Sequence, residues 1–185
     1  MTQEQAFDVV GKLGIFELRR YHPCVIAEVS VVGNFESAGS TGFGPLFRYI
    51  AGANHSKTKV AMTSPVVHEP GARLDVTQPA RESDMGKQHT IGFVMPARYS
   101  DASQLPVPDD AHVVLRNSAE ELALVDRFTG RWSHDIYVTR LQNLTRAAEE
   151  SGYRSAGPAR LARFNPPWTP SFMRRNEIQL PLASN

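Results

Sequence analysis

The chain has 185 residues, 41% of them hydrophobic, with twenty Lys and Arg against nineteen Asp and Glu for a net charge of +1. That balance excludes a dedicated nucleic-acid binder, which carries a clearly basic face. It fits one globular domain over residues 1–185, long enough to bury about 70% of its unfolded surface. The lone cysteine, Cys24, excludes an internal disulfide framework and any zinc site with more than one thiolate.

The opening residues MTQEQAFDVVGKLGIFELRRY lack a basic head, an apolar core and a small-residue cleavage site, so they do not read as a secretory signal. No run of about 18 apolar residues is present, so no membrane span is expected. The expected location is the cytoplasm.

In chain order, residues 13–22 alternate weakly and read as a strand that Pro23 ends. Residues 24–32, CVIAEVSVV, are rich in β-branched side chains and form a second strand. Gly33-Asn34 marks a turn into a helix that closes near Ala51-Gly52. Gly39, Gly42, Gly44 and Pro45 disfavour regular helix, so its first half is expected to be irregular or kinked. Residues 57–67 read as a strand into a proline turn, and 68–88 as an exposed polar loop. Residues 89–96 form a strand, 97–110 a connection, and 112–117 and 121–130 two more strands. Ser133 caps a second helix whose stripe of Tyr137, Leu141, Leu144 and Ala148 keeps helical spacing up to Gly152. Residues 161–167 read as a short strand into a proline-rich turn, and 176–182 as the last strand. The order strand, strand, helix, strand, strand occurs twice, which points to two ββαββ halves with mostly antiparallel strands and two helices packed on the sheet.

Catalytic signatures are missing. Gly39-Ser40-Thr41-Gly42 has the wrong spacing for a nucleophile elbow, and His68-Glu69 runs into Pro70 rather than a zinc helix. No histidine lies three or four residues from another, so no pair has metal-ligand spacing, and each reads as a surface or strand-end residue. Cys24 opens an apolar strand and reads as a structural thiol. No catalytic residue and no metal ligand is assigned.

Five ordered segments resemble the SOUL/haem-binding-protein family: Phe16-Glu17-Leu18-Arg19-Arg20-Tyr21, Phe47-Arg48-Tyr49-Ile50-Ala51-Gly52, Val60-Ala61-Met62-Thr63-Ser64-Pro65-Val66, Phe93-Val94-Met95-Pro96 and Arg174-Arg175-Asn176-Glu177-Ile178. The resemblance implies an α+β fold, a distorted antiparallel β-barrel or curved sheets with two helices and a pseudo-twofold repeat. It also implies binding of haem or another tetrapyrrole, in a fold that elsewhere serves as a small-molecule effector domain of transcription regulators. Some animal members carry a histidine in the opening motif, proposed as an iron ligand. Arg20 stands at that place here, with His22 two positions on, so axial ligation does not carry over and His22 and His55 stay open as candidates.

A haem needs an apolar slot and cations for its propionates. The resemblance places the cleft between the first helix and the loop before the last strand. On the helix, Gly44 and Ala51 admit a flat ligand, Phe47 borders them, and Arg48 reaches a propionate. On the loop, Phe164, Trp168, Phe172 and Met173 supply an apolar wall, with Arg174 as a further cation. The same residues also have plain structural readings: Phe43, Leu46 and Ile50 as core, Trp168 and Phe172 as packing for the loop, and Arg174-Arg175 as charges on an edge strand. The leading reading is a non-enzymatic tetrapyrrole-binding protein for carriage, buffering or sensing, with an oligomer left open. The alternatives are an effector module with a non-haem ligand, or an enzyme, hydrolase or haem-dependent oxidant, in which Glu177 and Tyr137 face the cleft.

Overall fold

The structure, a computed structural model, describes residues 3–71, 87–166 and 168–183. The chain begins with β1 (Gln3–Glu4), then β2 (Phe7–Leu13) and β3 (Phe16–Tyr21), which form a hairpin. Gly14 turns that hairpin at φ +60°, a conformation that suits a residue without a Cβ. β2 was not expected from the sequence, since its exposed valines, Val9 and Val10, break the alternation of a half-buried strand. β4 (Cys24–Gly33) follows and leads into α1 (Phe35–Ile50).

Helix α1 corrects the expectation of an irregular first half: it runs unbroken through Gly39, Gly42, Gly44 and Pro45. Asn34 caps it by accepting the Ser37 N–H at 2.8 Å. Close packing explains two of the glycines. A Cβ on Gly42 would lie 2.6 Å from Ile91 Cβ, and one on Gly39 would overlap the Arg163 guanidinium. Tertiary contact here outweighs a propensity cost of about 1 kcal/mol per glycine.

Next come β5 (Thr63–Ser64) and β6 (Val66–Glu69), so the expected strand over 57–67 is confined to its end, and residues 57–62 form no strand. β1 pairs with β5 in parallel. The expected exposed loop over 68–88 is shortened at both ends. His68 and Glu69 belong to β6, Lys87 and Gln88 to β7 (Lys87–Val94), and residues 72–86 lie outside the described ones. The remaining elements follow expectation closely: β8 (Val114–Ser118), β9 (Glu121–Thr129), α2 (His134–Glu150), β10 (Arg160–Arg163) and β11 (Arg175–Leu182). Ser133 caps α2 by accepting the Ile136 N–H at 3.3 Å, and Tyr137, Leu141, Leu144 and Ala148 are its buried stripe.

Among the described residues nine strands form one antiparallel sheet in the order β2-β3-β9-β11-β10-β6-β7-β4-β8. Leaving out β2, the order reads the same from either end once the halves are exchanged: β3 matches β8, β9 matches β4, β11 matches β7 and β10 matches β6. The pseudo-twofold axis therefore runs between β10 and β6. α1 packs on β4 and β7, and α2 on β9 and β11. Each helix covers its own core, with Leu46, Ile91 and Phe93 under α1 and Leu124, Leu144 and Ile178 under α2. The sheet ends at β2 and β8 and does not close into a barrel, so the curved-sheet form of the expectation is the one that holds. Among the described residues no helix is long and apolar enough to cross a membrane.

Candidate functional site

Helix α1 presents one exposed flank. Phe47 is 51% exposed and its ring stacks on Phe43 at 5.7 Å, while Phe43 meets Phe93 edge-on at 5.3 Å. Arg48 pairs with Asp110 at 3.7 Å, and its Nη1 lies 3.6 Å from where a Cβ on Gly44 would be. The Arg48 side chain thus lies along the Gly44 surface. Ala51 is exposed at the helix C-terminus.

The segment between β10 and β11 is held open by its own backbone. Thr169 N–H donates to Pro166 O, Met173 N–H to Pro170 O and Arg174 N–H to Ser171 O, the last two around a short 3-10 turn at Ser171–Met173. Arg174 Nε donates to Thr169 O at 2.8 Å. These bonds leave Trp168, Phe172 and Met173 exposed by 84%, 75% and 59%. Phe164 lies instead under the Arg175 guanidinium, 3.8 Å from its ring centroid. Trp168 and Arg174 share a cleft of about 530 Å³ with Arg131 and Trp132. Among the described residues two indole rings and two guanidinium groups line it and no carboxylate does, a surface complementary to a flat anion.

Of the nine expected residues, the structure therefore groups Trp168, Phe172, Met173 and Arg174 on one loop. Gly44, Phe47, Arg48 and Ala51 stand on α1, which packs on β4 and β7, whereas the 3-10 turn packs on β9. Arg163 leaves β10 just before the loop and reaches the buried Gly39 in the first half of α1, away from the Gly44–Ala51 flank. Arg131, Trp132 and Arg163 were missed from sequence. Arg131-Trp132 directly follows Gly130, at φ +108°, on the way into α2, and that turn was the available signal.

Glu177 and Tyr137 do not face an open cleft. Glu177 is fully buried and accepts from Arg19 Nη1 at 2.9 Å, Arg175 Nη2 at 2.8 Å and Gln179 Nε2 at 3.3 Å. Tyr137, also buried, donates to Ala159 O at 2.9 Å. The Met62-Thr63-Ser64-Pro65 motif shapes the chain: the Thr63 hydroxyl donates to Val94 O, and the Ser64-Pro65 peptide is cis.

Two histidines correct the surface reading. His68 is fully buried and His89 is 2% exposed, with His68 Nε2 and His89 Nδ1 3.1 Å apart. His89 Nε2 lies 3.2 Å from Gly33 O, an acceptor only. In the neutral pair His89 therefore donates through Nε2 and accepts at Nδ1 from His68. Burial, helped by Arg163, pushes His68 down to about 3. His22 and His55 are exposed, and His22 is 2.9 Å from Asp8. Among the described residues no group of three His, Cys, Asp or Glu is placed to hold a metal ion. Burial pushes the Cys24 thiol up to about 11, which suits an unreactive thiol.

Comparison with known proteins matches this arrangement to relatives. The chain is 29% identical to heme-binding protein 2 of Mus musculus over 148 residues, covering 78% of this chain and 67% of that one. It is 31% identical to heme-binding protein 2 of Homo sapiens over 142 residues, covering 75% and 64%. The chain thus spans about two thirds of the length of these relatives. Among solved structures it is similar to the C-terminal domain of EcmrR, with a TM-score of 0.65 over 92% of this chain and 98% of that one. At 12% identity that likeness speaks to the fold alone. The family model described as SOUL heme-binding protein matches residues 2–181, and with the opening and closing motifs joined through Arg19 and Glu177, the chain belongs to that family.

Proposed function

We propose that this protein binds haem or a related tetrapyrrole at the cleft between Trp132 and Trp168, as a non-enzymatic carrier, buffer or sensor. The observation that carries the reading is the preorganised lining: two indoles, Arg131 and Arg174, with no carboxylate in it among the described residues. About 530 Å³ lies within the usual range for a small-molecule site. Phe172 and Met173 extend the apolar wall; the α1 flank of Gly44, Phe47, Arg48 and Ala51 does not line this cleft. Haem supplies the redox-active iron when bound; the chain supplies stacking and cations for the propionates.

A non-haem ligand on the opposite face of the sheet is the weaker reading. The space there, among Glu28, Glu69, Arg116 and Arg160, is about 20 Å³. That holds roughly one water molecule.

An absorbance titration with hemin tests the proposal. A Soret band that saturates near one hemin per chain is expected; a featureless, non-saturating rise overturns it.

A further inference from the structure

Arg163 stands apart from the other sheltered arginines. Arg19 has Glu17 and Glu177, Arg160 has Glu121, and Arg175 has Glu4 and Glu177. Arg163 has no carboxylate partner among the described residues, and its Nε is sealed from solvent without an acceptor. Its Cζ lies 5.0 Å from the centroid of the Trp132 ring. On the other side is Gly39, where a Cβ would lie 2.8 Å from Nη1. The neighbouring His68 stays neutral, and Glu36 accepts the His134 N–H at 3.2 Å. Burial holds the Arg163 guanidinium down to about 10, with no acid offsetting it. The residue still keeps a partly exposed surface. A sheltered cation without a counter-charge is costly, and an arriving anion offsets that cost far better than it would at an exposed arginine.

We infer that Arg163, its guanidinium packed between Gly39 and Trp132, is an anion-receiving group of this protein, pairing with a carboxylate carried by a flat apolar ligand. The ligand's identity rests on the haem reading, in which the carboxylate is a propionate; the anion site rests on Arg163 itself. Gly39 is then a requirement of the site, because any side chain there displaces the guanidinium.

The test compares the parent, Arg163→Met and Gly39→Ala, each titrated with hemin, with 1-pyrenebutyrate and with the pyrenebutyrate methyl ester, read by tryptophan quenching and a thermal midpoint. The variants act differently: one removes the charge, and the other keeps it and moves it. Expected are a loss of at least tenfold for hemin and pyrenebutyrate in both variants, equal ester binding in all three proteins, and a single cooperative thermal transition in each. Equal pyrenebutyrate affinity in all three, or a parent that binds acid and ester alike, overturns the inference. Hemin that never saturates, with pyrenebutyrate still dependent on Arg163, removes the haem reading and leaves the anion site standing.

Discussion

Arg19 and Glu177 lie 158 residues apart in the chain and 2.9 Å apart in space, both buried. They belong to the opening and closing motifs, so two separate sequence signatures are one ion-pair network. Glu177 also accepts from Arg175, which in turn reaches Glu4 at 3.0 Å. Removing one partner of a buried pair leaves an uncompensated charge, typically costing about 3–5 kcal/mol. Glu177→Gln is therefore expected to lower stability by that order, measured by urea unfolding, and Arg19→Met combined with it should restore part of the loss.

The His68–His89 pair sets a pH dependence. His68 titrates near 3 when folded and from an ordinary value of 6.5 when unfolded. Between those values the unfolded chain binds the extra proton, so stability falls as pH falls, by up to about 1.4 kcal/mol per pH unit from this group. Above the unfolded value its effect vanishes. His68→Gln should flatten the difference in urea midpoint between pH 7 and pH 4.5; an unchanged slope counts against the assignment.

Trp168 is 84% exposed, so Trp168→Ala should leave the thermal midpoint within a degree or two. Hemin affinity should drop about tenfold, equivalent to about 1.4 kcal/mol. Arg48→Ala should change it less, since Arg48 is an exposed cation already paired with Asp110. Parallel hemin titrations rank the two.

Gly42 and Gly44 make a matched pair on one helix. Gly42→Ala drives a methyl into Ile91 and is expected to cost about 1–3 kcal/mol. Gly44→Ala meets only Arg48 at 3.6 Å and should stabilise by up to about 1 kcal/mol. Opposite shifts in thermal midpoint check both.

The twofold order of elements was legible because turn residues and periodicity are local signals. Helix α2 is the clearest case, with Ser133, its apolar stripe and Gly152 all in sequence reach. Helix α1 was misjudged because its glycines answer to Ile91 and Arg163, far away in the chain. The loop from Phe164 to Arg174 announced itself by composition, whereas Trp132 joins it only through folding. The buried His68–His89 pair was hidden for the same reason: 21 residues separate partners that adjacent strands bring together.

The exchange of first strands between the halves has a consequence for synthesis. β3 pairs with β9 and β8 pairs with β4, so each half ends its sheet with a strand from the other. While the ribosome has made only the first half, Phe16–Tyr21 has an open hydrogen-bonding edge, apart from its hairpin partner β2, until Glu121–Val125 emerges. An unfilled edge of that kind is a template for the wrong strand. The nascent protein is thus most exposed to aggregation just before its second half arrives, and neither half is a self-sufficient folding unit.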